Sequence, residues 1–142
     1  MSPIEPVAGR RIIPEARTVG STRRLDFLFT SSDEDAPRYG FELLAHGSRA
    51  AFNEHLLRGS LYSFQHASNG GCTTFVINMC MEGGPGCVRY YGAQAHAGVV
   101  PLHVVLDVPK RTAQLHRDGQ PMLQLQLIGD DGELRFDSLV DD

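Results

Sequence analysis

The chain has 142 residues and carries 13 Lys and Arg against 17 Asp and Glu, a net charge of −4 at neutral pH. This length suits one domain and is too short for two well-formed cores. The acidic balance argues against nucleic acid as the main partner, and the apolar runs are far shorter than the roughly 20 residues that span a bilayer. The N-terminus has no basic start followed by an apolar stretch. We therefore expect a soluble, cytoplasmic protein that binds neither nucleic acid nor membrane.

The N-terminal part of the chain divides into an arm and the start of a domain. Fifteen Gly and eight Pro cut the sequence into apolar segments of strand length. Residues 1–23 are predicted to be an arm or edge strand, with a short strand at 11–13, and residues 24–142 to form the domain. Apolar residues alternate over residues 25–29, which predicts a strand, and a polar acidic loop follows at 30–35.

A short helix is predicted near the middle of the chain. The period-two pattern of residues 39–43 indicates another strand, and Ser48 then suits the N-cap of a helix over residues 49–57. Phe52 and Leu56 are four residues apart and would share one face of that helix.

A hairpin is predicted directly after this helix. Alternation at residues 60–66 indicates a strand, and the turn at 69–71 contains two glycines that supply positive φ angles. The strand at residues 73–79 would then pair back onto the first.

The last third of the chain carries the clearest β pattern. Four alternating runs are separated by turn residues, among them Asp118-Gly119. The runs cover residues 100–108, 112–117, 121–128 and 133–136. Six alternating apolar residues are predicted to line the core: Leu102, Val104, Leu106, Leu123, Leu125 and Leu127. Many short strands at this spacing predict an all-β fold, an antiparallel β-sandwich with at most one short helix.

Three cysteines and one histidine are the strongest candidates for metal chemistry. An odd number of cysteines fits free thiols in a reducing compartment. Thiolates and imidazole are ligands that zinc prefers, so His66, Cys72, Cys80 and Cys87 are the alternative metal site. Five, seven and six residues separate them, without the closely spaced ligand pair typical of structural zinc. We expect no metal and no other cofactor.

The same cysteines are the candidates for nucleophilic catalysis. A thiol nucleophile needs a neighbouring base and a cation or helix N-terminus that lowers its pKa, and the sequence around each cysteine supplies neither. We therefore expect no enzyme, and keep a small cysteine- or zinc-dependent enzyme around Cys72, Cys80 or Cys87 as the alternative. A further alternative is a structural β protein that self-assembles through exposed strand edges.

Residues 24–115 resemble the later part of a Neuralized homology repeat, the β-sandwich module of Neuralized-type ubiquitin ligases that is related in fold to SPRY domains. Three segments carry the resemblance. Residues 24–33 are similar to a strand that ends in threonine, polar residues and Asp. Residues 68–85 are similar to a hairpin with a glycine turn, an apolar pair, an asparagine and a Gly-Pro. Residues 101–108 are similar to a strand that ends in Asp-Val.

The resemblance implies recognition of another protein or peptide through loops at one end of the sandwich, without catalytic residues. It also implies a substrate-recognition or adaptor role in ubiquitin signalling. The residues predicted to bind the partner are Ser31, Ser32 and Asp33 in the first loop, and Tyr90 and Tyr91 beside the Gly-Pro loop. Tyrosines suit such a site because they combine a large contact area with one polar end. A homo-oligomer is compatible with this prediction.

Overall fold

The computed structural model describes residues 10–14, 26–84, 96–128 and 132–140. Within these ranges the chain forms eight strands and one helix. The elements are β1 (Arg10–Pro14), β2 (Phe27–Ser31), β3 (Arg38–Ala45), α1 (Arg49–Gln65), β4 (Cys72–Met81), β5 (Val99–Asp107), β6 (Thr112–Arg117), β7 (Gln120–Ile128) and β8 (Glu133–Ser138). No helix in the described ranges combines the length and apolar character needed to cross a bilayer.

All eight strands lie in one sheet, in the order of the chain from β1 to β8. The sheet curls like a half-barrel. Most neighbouring pairs are antiparallel, as predicted, but β3–β4 and β4–β5 are parallel. The prediction of a mainly β, sandwich-like fold with one helix is confirmed. β1 pairs with β2 at the edge of the sheet, where a short edge strand was expected.

Helix α1 connects the parallel strands β3 and β4. Its N-terminus is capped as predicted, because the backbone N–H of Ala51 donates to Oγ of Ser48 at 3.1 Å. The predicted strand at residues 60–66 is wrong, since α1 continues to Gln65. Its buried residues recur at helical spacing on one face, and this packing prevails over the local alternation. They are Phe52, Leu56, Gly59, Tyr62 and Ser63.

The predicted hairpin around residues 69–71 is also wrong, because the strand after the turn does not pair with the segment before it. The turn is present, and Gly71 has a φ of 83° that favours glycine. It leads from α1 into β4, which pairs in parallel with β3. The segment is therefore a strand–helix–strand crossover, the connection that neighbouring parallel strands require.

The last four strands confirm the predicted sequence-order meander. β5 to β8 follow the predicted runs within one or two residues, and all three pairs are antiparallel. The β6–β7 turn places Asp118 and Gly119 at positive φ. A register shift between Leu115 and His116 adds a bulge to this hairpin.

The two faces of the sheet differ in composition and in burial. We call the side that packs under α1 the helix face. It contains every buried residue that the structure describes in β2 to β8: Leu28, Thr30, Gly40, Glu42, Thr74, Val76, Asn78, Cys80, His103, Val105 and His116. More than half of these side chains are polar, and Phe52, Leu56 and Val76 form the apolar contact between helix and sheet.

We call the opposite side the open face. Its positions follow from alternation along each strand and from the paired register, because directly opposed residues point to the same side. From β2 to β8 it carries Phe27, Phe29, Tyr39, Phe41, Leu43, Phe75, Ile77, Met79, Val100, Leu102, Val104, Leu106, Ala113, Leu115, Leu123, Leu125, Leu127, Leu134 and Phe136. Each of these side chains is half-buried or exposed. The six leucine and valine residues predicted to line the core do share one face. That face is the open face, so the prediction that they form the buried core is wrong.

Candidate functional site

The predicted partner loop lies at one end of the sheet. Ser31 is the last residue of β2, and Ser32 and Asp33 are exposed in the loop before β3. The backbone N–H of Asp33 donates to Oγ of Ser31 at 3.2 Å, and the N–H of Asp35 donates to Oδ1 of Asp33 at 2.9 Å. These short-range bonds hold the loop in one shape while its carboxylates stay in solvent.

A neighbouring turn fixes the same loop from the other side. Oγ of Ser68 donates to the backbone oxygen of Ala36 at 2.7 Å, and the backbone N–H of Arg38 donates to the oxygen of Gly71 at 2.9 Å. Gly70 lies so close that a Cβ there would be 2.4 Å from the backbone oxygen of Asp35. The loop is therefore a rigid, acidic projection. Tyr90 and Tyr91, the other predicted partner residues, lie outside the described residues.

The cysteines do not form a site in the described part of the chain. Cys80 is buried on the helix-face side of β4, and Cys72 packs beside Leu28 and Tyr62. Burial raises the pKa of the Cys72 thiol, while a hydrogen bond with Ser63 and the charge of Arg38 act in the opposite direction. A raised pKa keeps the thiol protonated and weakens it as a nucleophile.

The alternative metal site also includes His66 and Cys87. Cys87 lies outside the described residues. Burial lowers the pKa of His66, and the charge of Arg38 lowers it further. Among the residues that the structure describes, no three His, Cys, Asp or Glu side chains are grouped closely enough to hold a metal ion.

The helix face holds a set of buried polar contacts. Nδ1 of His55 lies 3.0 Å from Oε2 of Glu42, whose side chain is only 5% exposed. Oγ of Ser63 lies 2.7 Å from Oγ1 of Thr74 and donates to the backbone oxygen of Gly98 at 2.7 Å. These contacts tie α1 to β3, β4 and the start of β5.

Two histidines extend this polar set to β5 and β6. His103 and His116 are directly paired across the two strands, and both are buried. The ring of Phe52 lies 4.6 Å from the ring of His103. Burial lowers the pKa of His103, and the charge of His116 lowers it further.

A polar cavity of about 430 Å³ is lined mainly by residues of β5, β6 and β7. Nε2 of Gln114 donates to Oε1 of Gln124 at 2.8 Å across β6 and β7. The backbone N–H of Lys110 donates to Oδ1 of Asp107 at 3.2 Å at its rim. The lining residues are Glu82, Val105, Asp107, Lys110, Thr112, Gln114 and Gln124. Carboxylates, an ammonium and amides together make this cavity strongly polar.

The open face is dominated by aromatic and aliphatic contacts. Phe41 stacks on Phe75 with ring centroids 5.5 Å apart, and Tyr39 lies 6.1 Å from Phe75 and 6.5 Å from Phe29. These rings form a ladder across β2, β3 and β4. Several side chains on this face stay largely in solvent, including Leu134 at 54% and Phe136 at 65% exposure.

An apolar groove of about 450 Å³ lies at the other end of the open face. Its lining is mostly aliphatic: Leu106, Val108, Ala113, Leu125, Leu127 and Leu134, with Asp107, Arg111 and Thr112 at the margin. The aromatic ladder and the groove belong to one continuous surface, because β2 to β8 are neighbours in the sheet.

Sequence reasoning missed the pairs that join different strands. Glu42 and His55 come from β3 and α1, and no local spacing points to their contact. His103 and His116 could have been found, since counting outward from the turn at Pro109 and Lys110 brings them opposite each other. The open face was visible as alternating apolar positions, but the pattern assigns such positions to the interior.

In comparisons with known proteins, no family model, curated protein or solved structure matches the chain.

Proposed function

We propose that this chain is a protein-interaction module whose binding surface is the open face of the sheet. The observation that carries the proposal is the reversed distribution of polar and apolar side chains. The helix face buries Glu42, Asn78 and His103, whereas the open face leaves Phe136 and Leu43 in solvent. Large contiguous apolar patches on a protein surface mark sites of association.

The composition of the open face also supports recognition of protein. Phe, Tyr and Met are enriched at the centres of interfaces, and charged residues are depleted there. The positions named for the open face include five Phe, one Tyr and one Met beside the aliphatic residues, and none of them is charged. α1, the only helix of the described residues, packs on the opposite face.

The loop predicted from the sequence adjoins this surface. Ser31 follows Phe27 and Phe29 at the same parity along β2, so the loop with Ser32 and Asp33 begins at the margin of the open face. An apolar centre with a polar, solvent-exposed rim is the usual anatomy of an interface. We include Ser31, Ser32 and Asp33 in the proposed site as that rim. An adaptor role in ubiquitin signalling stays a prediction that rests on the resemblance alone.

Affinity capture with matched variants tests the proposal. Leu43→Lys places a charge on the open face at a side chain that is 41% exposed, and Leu57→Lys places the same charge on the outer side of α1 at 53% exposure. The proposal expects that proteins captured by the wild-type chain, a second copy of it included, are lost with Leu43→Lys and kept with Leu57→Lys.

Circular dichroism of both variants controls for folding. Identical capture by the wild type and by folded Leu43→Lys contradicts the use of the open face. Loss with Leu57→Lys alone would move the interaction to the helix.

A further inference from the structure

We infer that the occupant of the open face is a second copy of this chain, so that two sheets pack face to face in a twofold dimer. This inference rests on the proposed function and names its partner. Two sheets that meet through their apolar faces pack about 10 Å apart and bury both sets of side chains in a common core. The sandwich core that one sheet leaves half open would then be completed between two chains.

The size of the open face fits a stable dimer. Six gaps of about 4.8 Å between the seven strands β2 to β8 and about five residues of 3.3 Å along each strand give a footprint of roughly 480 Å². Side-chain relief makes the accessible area larger than this footprint. Two such faces have a combined footprint of about 950 Å², so their larger accessible area lies near the roughly 1,200 Å² at the lower end of specific interfaces.

The charge distribution allows two copies to approach through this face. Each chain has a net charge of −4, so two copies repel at long range. Alternation places Asp107, Arg135 and Asp137 on the helix-face side of their strands, opposite Leu106, Leu134 and Phe136. In the dimer, these charges on the far side of one sheet lie more than a Debye length, about 8 Å at physiological ionic strength, from those of the partner's sheet. Their repulsion is therefore screened.

The chemistry of the face argues against an added strand as its occupant. An added peptide strand binds at a sheet edge through backbone hydrogen bonds, and these groups are not presented by the face of a sheet. In a twofold dimer, every contact between the two chains occurs twice, with the roles of the chains exchanged. Each copy therefore presents to the other both a projecting ring, such as Phe136, and the groove at Leu125 and Leu127.

Sedimentation velocity over a range of concentrations tests the dimer. The wild type is expected at twice the chain mass of 15.6 kDa. Phe136→Lys and Leu134→Lys both charge the open face at side chains that are exposed in the single chain, so they spare the fold. Each is expected to weaken the dimer by about tenfold or more, the scale for an interface anchor. Phe64→Lys makes the same change at the outer side of α1, at 84% exposure, and is expected to leave the dimer intact.

Each other outcome overturns the inference in a distinguishable way. If the wild type is a monomer that binds an apolar dye through the open face, the dimer is contradicted. The proposed function is then kept, with a different protein as partner. A wild-type monomer without dye binding removes both. A dimer that is unaffected by both sheet variants, or lost only with Phe64→Lys, places the interface elsewhere. Assemblies that grow beyond a dimer point to pairing through the strand edges.

Discussion

The helix face and the open face show opposite relations between polarity and burial. On the helix face, Thr74 and Asn78 have no exposed surface although both are polar. On the open face, Phe75 and Leu125 keep partial exposure although both are apolar. The difference teaches that α1 stabilises its side of the sheet through a few apolar residues and specific hydrogen bonds, while the open face retains apolar surface that association can bury.

Polar groups on the helix face are costly to bury unless they are paired. The backbone N–H of Gly47 donates to Oδ1 of Asn78 at 2.9 Å, whereas Nδ2 of Asn78 has no hydrogen-bond partner among the described residues. Oε1 of Glu42 also has no hydrogen-bond partner among the described residues. A face that carries such groups gains less from its helix than an apolar face would, which makes Phe52 and Leu56 central to its stability.

The largest expected difference between the two faces comes from one residue type. Phe52→Ala removes a fully buried ring under the helix and is expected to lower the free energy of unfolding by about 3–5 kcal/mol. Phe136→Ala removes an exposed ring from the open face and should change it by less than about 0.5 kcal/mol in the single chain. Urea unfolding at low protein concentration measures both. Equal losses would contradict the contrast between a buried and an open face.

A smaller difference is expected within the hydrogen bonds of the helix. Ser63→Ala leaves the buried hydroxyl of Thr74 without its partner, at a cost of about 1–2 kcal/mol. Ser60→Ala removes an exposed bond from Oγ to the backbone oxygen of Ala97, so its cost should stay within about 0.5 kcal/mol. Urea unfolding compares the two variants. A Ser63→Ala variant as stable as the wild type would show that the polar contacts of the helix face contribute nothing.

Acidification is expected to act through the helix face and to have a smaller effect. Burial and His116 lower the pKa of His103 in the folded protein. Between that lowered pKa and the ordinary value of about 6.5, the unfolded chain binds a proton that the folded chain does not. The stability from the neutral imidazole is therefore complete above about pH 6.5 and declines as the pH falls. Unfolding measured across this range should give a flatter pH dependence for His103→Gln than for the wild type, and an equal slope would contradict this role.

Sequence patterns predicted local features of this molecule well. Turn residues such as Asp118-Gly119 and alternating leucines determine the meander from β5 to β8 through neighbouring interactions. The Ser48 cap was predictable for the same reason. Parallel pairing of β3 with β4 was not, because residues 60–65 alternate like a strand and only packing against β4 reveals that they continue the helix.

The polarity of the two faces could not be predicted because alternation gives the sides of a strand without saying which side is covered. Thr74, Asn78 and His103 occupy positions that a sandwich model assigns to solvent, and Leu102 and Leu125 occupy positions that it assigns to the core. The helix reverses this assignment by packing on the polar side. The candidate site results from that reversal. Its residues could therefore be predicted from the sequence, but their exposure to solvent could not.

The smallest expected effect, in the single chain, distinguishes an open face from a covered one. Leu43→Thr keeps a residue suited to strands and replaces a side chain that is 41% exposed, so at low concentration it should change the free energy of unfolding by less than about 0.5 kcal/mol. A loss of several kcal/mol would mean that the chain itself buries this position. At higher concentration the dimer links association to folding, so the melting temperature of the wild type should rise with concentration and that of Leu43→Thr should rise less. If the melting temperatures of both proteins rose equally with concentration, self-association would not use the open face, although the face would still be exposed in the single chain.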